Sequence, residues 1–137
     1  MLCLQKTQLN ELVEHSKDGS PNEVCGILAG KTLKKDDRQV EKIYKMVNTD
    51  KSAQSFFMDP KEQLNAMKDI RNLGLEMLGI YHSHPETEAY PSKHDVELAY
   101  YPDASYVIVS VKDKEKAVLK SFRIVDEKIT EEEVKIG

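Results

Sequence analysis

The sequence predicts a mixed α/β fold, one β-sheet with helices packed on it, and three observations lead there. Short apolar runs bounded by turn residues recur, at Glu23–Lys31, Leu75–Tyr81 and Ser105–Val111. Segments of helical spacing stand between them. Some neighbouring strands are joined by charged turns and others by helices, so the sheet must be mixed rather than purely parallel. A length of 137 residues fits one core, and residues 1–137 are expected to form a single domain.

Each element has its own reason. Leu2 and Leu4 suit a short edge strand. Thr7 is read as the N-cap of a first helix carrying Leu9, Leu12 and Val13, which Asp18-Gly19 ends and Ser20-Pro21 turns. His15, near that helix end, is expected to be exposed. Glu23 opens a buried strand on which Glu23, Cys25, Ile27 and Ala29 share a face, while Gly26 and Gly30 suit close backbone approach. The run Lys34–Arg38 is a charged hairpin connection to a second strand, Val40–Val47. A polar loop leads to a third short strand, Ser55–Met58. Asp59-Pro60 and Glu62 then start a helix whose buried face is Leu64, Met67 and Ile70, with Gly74 as its stop. The strand from Leu75 runs directly into His82. Ser92 begins a third helix bearing Val96, Ala99 and Tyr100, and Tyr101-Pro102 ends it. Ser105–Val111 pairs with Ala117–Val125 across a charged turn, and Ile129–Ile136 is a polar last strand or tail.

Composition narrows the function classes. Charged residues make up 32% and hydrophobic ones 39%, which is globular rather than disordered. The net charge of −4, with Lys and Arg spread along the chain, argues against a nucleic-acid partner. No apolar run approaches the ~20 residues a membrane helix needs. The N-terminus lacks the apolar core of a signal peptide, and two cysteines make no disulfide framework, so a cytoplasmic location with reduced thiols is expected.

Chemistry concentrates in Leu78–Asp95, LGIYHSHPETEAYPSKHD. Strand alternation puts His82 and His84 on one face, ~6.6 Å apart along the chain, with Ser83 opposite. Ser92 and Asp95 share a face of a helix start. If that face folds over the strand end, His82, His84 and Asp95 can converge on one ion. Three protein ligands with a fourth position open is the catalytic pattern for zinc, and such a site needs a carboxylate to carry a proton. Plainer readings compete: Ser92 and Asp95 also form an ordinary capping motif, two histidines at a strand end can be surface residues, and Glu23 alone can be a solvated charge. A Cys25 nucleophile is disfavoured, because a thiol inside an apolar strand is usually inert.

Taken together, Glu23 in E-V-C-G-I-L-A-G, then G-I-Y-H-S-H-P, then P-S-x-x-D after the intervening loop, resemble the JAMM (MPN+) zinc metalloproteases of compact prokaryotic type. The resemblance runs from Glu23 to about Val111. It implies a curled mixed sheet flanked by helices, in a cytidine deaminase-like architecture. It implies a zinc ion held by His82, His84 and Asp95, Glu23 as general acid/base, and Ser92 as a catalytic residue stabilising the oxyanion. The implied partner is a ubiquitin-like small modifier or a ThiS/MoaD-type sulfur-carrier protein, cleaved after its C-terminal Gly-Gly. Two other readings stand beside it: a non-catalytic protein-binding scaffold of the same fold, and a zinc hydrolase of small amino-acid conjugates.

Overall fold

The computed structural model describes residues Met1–Gly137. Its strands are β1 (Leu2–Leu4), β2 (Cys25–Thr32), β3 (Arg38–Met46), β4 (Glu76–His84), β5 (Ser105–Ser110), β6 (Val118–Val125), β7 (Lys128–Glu132) and β8 (Val134–Ile136). The helices are α1 (Lys6–Gly19), α2 (Pro60–Asn72) and α3 (Lys93–Glu97). All eight strands form one sheet in the order β7-β6-β5-β4-β2-β3-β1-β8. The sheet is mixed, as predicted. β2 runs antiparallel to β3 and β4, while β4 and β5 run parallel, with α3 in the crossover.

The first and last strands of that order, β7 and β8, are separated in sequence only by Glu133. The sheet therefore curls until one bent segment borders both β6 and β1, and the Leu2 N–H donates to the Glu133 carbonyl at 2.9 Å. The expected last strand is thus two strands. β1 is not an edge either, since β3 and β8 flank it.

Alternating side chains fill cores on both faces. Leu12 of α1 packs with Leu2, Leu4, Leu28, Val40, Tyr81 and Val107. On the other face Ala66 and Ile70 of α2 meet Cys25, Ile27, Ala29 and Met46, while Val96 and Ala99 meet Tyr106, Ile108 and Phe122.

An irregularity in β4 decides what its end presents. The register with β2 shifts, so that Leu28 faces Gly79 but Ala29 faces Met77. Leu78 is the extra residue of a bulge. Leu78 and Tyr81 consequently lie in the α1 core, whereas Met77 and Ile80 pack against the α2 core. Strict alternation would put residues 78 and 81 on opposite faces; the bulge resets the parity. Downstream of it, His82 and His84 follow Ile80, and Ser83 follows Tyr81.

At the N-terminal ends of β4 and β5, away from His84, sits a buried polar cluster. Arg38 donates to the Leu78 carbonyl at 2.8 Å, to Ser105 Oγ at 3.3 Å and to the Asp103 carbonyl. Glu132 Oε1 accepts from Ser105 Oγ at 2.7 Å and Ser121 Oγ at 2.8 Å. Arg38 and Glu132, expected in a charged turn and a polar tail, are both buried.

Other local expectations need correcting. α1 starts at Lys6, and its entry is held by Gln5, whose N–H donates to Gln8 Oε1 at 2.9 Å, not by Thr7. Ser55–Met58 is no strand, because the Asn48 side chain takes the Ser55 carbonyl and the Phe57 N–H; only a single bridge, Asn48–Met58, remains. Leu64 points outward, since the Ala66–Ile70 stripe lies on the far side of α2. Glu62 closes no capping box but accepts from the Val47 N–H at 2.8 Å. α3 ends at Glu97, before Tyr100, which is exposed. His15 is half-buried, with Nδ1 2.9 Å from the hydroxyl of buried Tyr81.

Candidate metal centre

The end of β4 and the start of α3 bring three side chains to one point. His82 Nε2 and His84 Nε2 are 3.1 Å apart. Asp95 Oδ2 lies 3.1 Å from the first and 3.0 Å from the second. All three residues are buried.

Each is aimed by its neighbours. The His84 Nδ1–H donates to the Glu88 carbonyl at 2.7 Å, which turns Nε2 toward Asp95 and makes it the metal-binding nitrogen whenever it is unprotonated. The His82 ring stacks on Phe56, with centroids 4.7 Å apart and planes at 25°. Asp95 Oδ2 accepts the Ser92 N–H at 2.9 Å, and Ser92 Oγ accepts the Asp95 N–H at 3.1 Å. The capping motif and the convergence are therefore one arrangement: the cap fixes the carboxylate that meets the histidines.

The electrostatics follow from this crowding. Burial alone would raise the Asp95 carboxyl, but hydrogen bonds from His82 and His84 pull it well below the carboxylate range. Burial lowers His82. Burial also opposes protonation of His84, yet the bonds to Asp95 and the Glu88 carbonyl outweigh it and raise that residue. Lone pairs facing one another at about 3 Å repel unless a proton or cation sits among them. Two imidazole nitrogens and one carboxylate oxygen match a borderline divalent cation such as zinc. The cluster could hold a metal ion.

Glu23 is no solvated charge; it is 4% exposed. Its backbone is gripped on both sides, the N–H by the Ser52 carbonyl at 2.7 Å and the carbonyl by Asn48 Nδ2 at 3.0 Å. The next residue, Val24, is tied to Ser83 twice: its N–H donates to Ser83 Oγ at 2.8 Å, and its carbonyl accepts the Ser83 N–H at 3.0 Å. Glu23 Oε1 is buried and has no hydrogen-bond partner. Burial, then the Asp95 charge, pushes its carboxyl up to about 8 against the pull of His84. Its proton thus responds to the same cluster.

Cys25 behaves as expected of a packed thiol, with burial pushing it up to about 12. Ser92 is exposed beside the cluster. The Pro85–Pro91 loop contributes through its backbone, the Glu88 carbonyl, while Glu86 and Glu88 side chains face solvent. A pocket of about 190 Å³ opens alongside, with His82 and Asp95 in a mostly apolar wall that includes Phe56, Ile80, Tyr106 and Ile108.

Sequence reasoning missed Asn48, Phe56 and Ser83 as supports. Ser83 had a signal, since alternation points it away from the histidines and toward the strand carrying Glu23. Asn48 and Phe56 had none, because both act from a loop without periodicity.

Comparison with known proteins gives consistent relatives. A profile of prokaryotic homologs of the JAB domain matches residues 5–125. The CysO-cysteine peptidase of Mycobacterium tuberculosis is 40% identical over 136 residues, covering 99% of this chain and 91% of that protein. The desampylase of Haloferax volcanii is 32% identical and covers 80% of each. A solution structure of a Desulfitobacterium hafniense protein superposes with TM-score 0.91 at 45% identity, covering 100% of this chain and 93% of that one. A JAB1/MPN domain protein from Archaeoglobus fulgidus, 20% identical, shares the fold with TM-score 0.61 over 99% of this chain and 95% of its own.

Proposed function

This chain belongs to the prokaryotic homologues of the JAB domain, and from that premise we propose that it is a zinc-dependent peptidase or isopeptidase. Its substrate is a ubiquitin-like small modifier or sulfur-carrier protein, cut at the amide bond after the C-terminal Gly-Gly. The observation that carries the reading is the meeting of His82 Nε2, His84 Nε2 and Asp95 Oδ2 within 3.1 Å of one another, beside a buried carboxylate, Glu23, with an unpartnered oxygen. Relatives named for cleaving CysO-cysteine and, in Thermus thermophilus, TtuB–protein conjugates support the substrate class.

His82, His84 and Asp95 would hold the zinc. Bound there, zinc would lower the pKa of a water and polarise the scissile carbonyl. Glu23 Oε1 takes one proton from the attacking water and delivers it to the leaving nitrogen, so that amide and water become a carboxyl group and an amine. Ser92 Oγ spends one lone pair on the Asp95 N–H and keeps its own O–H to donate to the oxyanion. Capping and oxyanion donation thus use different parts of one hydroxyl. The mostly apolar pocket beside His82 offers a wall for the substrate tail.

The test joins metal analysis with product mass. Purified protein should carry one chelator-removable zinc and release an amino acid or protein from Gly-Gly-linked carriers. Metal-free protein with an intact fold and no cleavage would favour the scaffold reading. Cleavage of small amides alone would favour the conjugate hydrolase.

A further inference from the structure

We propose that Asn48 is a positioning residue that sets Glu23 and His82 against each other, an inference that rests on the proposed hydrolase reading. Asn48 follows β3 by two residues and uses its whole hydrogen-bonding capacity. Its Nδ2 donates to the Glu23 carbonyl and to the Ser55 carbonyl, each at 3.0 Å. Its Oδ1 accepts the Asp50 N–H at 3.0 Å and the Phe57 N–H at 3.1 Å.

The two halves of this amide serve different ends. The donor half holds the peptide of Glu23, whose other side is held by Ser52 of the same loop. The acceptor half holds Phe57, and so places the neighbouring Phe56 ring on His82. Thr49 holds the other side of Phe57, its N–H and Oγ1 donating to the Phe57 carbonyl at 2.9 and 3.0 Å, but the Asn48 side chain alone bonds both the Phe57 N–H and the Glu23 carbonyl. One side chain thus ties the backbone of the proton carrier to the ring that packs a ligand imidazole. Displacements on the order of 1 Å in such a constellation can cost about a hundredfold in rate.

Asn48→Asp keeps the acceptor half and loses the donor half; Asn48→Ala loses both. Both zinc-loaded variants are compared with the parent by thermal melting, zinc content, kcat and KM on a Gly-Gly-linked carrier, and the imidazole NMR resonances of His82. Rates are taken at the plateau of each pH profile, since the new carboxylate shifts neighbouring ionisations. The expected result is a kcat reduced about tenfold to a hundredfold in both variants, with KM and zinc content held. At pH values where its protonation is constant, the ring-stacking shift of His82 should be lost in Asn48→Ala, as Phe56 loses the anchor on the Phe57 N–H. A kcat within twofold of the parent in both variants would overturn the proposal, as would His82 resonances that stay fixed in Asn48→Ala. If the parent itself cleaves nothing, the hydrolase reading fails, while the resonances still decide whether Asn48 holds Phe56 on His82.

Discussion

Glu23 carries the sharpest expectations at the scale of single residues. Glu23→Gln should keep zinc stoichiometric and lower turnover by about a hundredfold or more, measured as kcat on a Gly-Gly-linked carrier. The same substitution should stabilise the metal-stripped protein. In that state the folded carboxyl holds its proton to about pH 8, while the unfolded one ionises near 4.5. Stability of the parent is therefore fully present below 4.5 and falls as pH rises toward 8, by at most about 1.4 kcal/mol per pH unit. Melting temperatures of the chelated pair should coincide near pH 4 and diverge toward pH 8; parallel curves would contradict this. Ser92→Ala should cost about 1 kcal/mol through the lost cap and, separately, lower kcat, whereas Ser92→Thr should restore both.

Elements show where the sequence was readable and where it was not. The strand and helix cores were legible because period-2 and period-3.6 patterns report which face is buried, and His82, His84 and Asp95 were legible because their spacing is local. Positions fixed from a distance were not. Leu64 and Tyr100 look like core residues until α2's orientation and α3's early end are known. Arg38 and Glu132 look solvated until the curled sheet places them together. The bulge at Leu78 was hidden too, since nothing in LEMLGIYHSH announces a change of parity. Its effect is directional: with Leu78 as the extra residue, Met77 before it and Ile80, His82 and His84 after it share one face, while Leu78, Tyr81 and Ser83 share the other. Gly26 belongs to this scale as well. A Cβ there would lie 2.2 Å from the Tyr81 ring and 2.3 Å from the Tyr44 carbonyl. Gly26→Ala should destabilise by about 1–3 kcal/mol or more in denaturant titration.

The whole molecule places chemistry and cohesion at opposite ends of β4 and β5. Around His84 the polar groups converge into a cluster that could hold a metal. Around Leu78 and Ser105 they bind strands together through Arg38 and Glu132. Arg38→Ala should cost about 1–3 kcal/mol or more, because it leaves the buried Leu78 carbonyl and Ser105 hydroxyl without their charged donor. Zinc stoichiometry of the fraction that remains folded should be unchanged. Loss of zinc from that fraction would show the ends to be coupled. The bend at Glu133 has a consequence for folding. β1 pairs with β8, Leu2 opposite Val134 and Leu4 opposite Ile136, so closing the sheet requires the two ends of the described residues to meet. Closure then joins segments far apart in sequence, the kind of contact that slows folding.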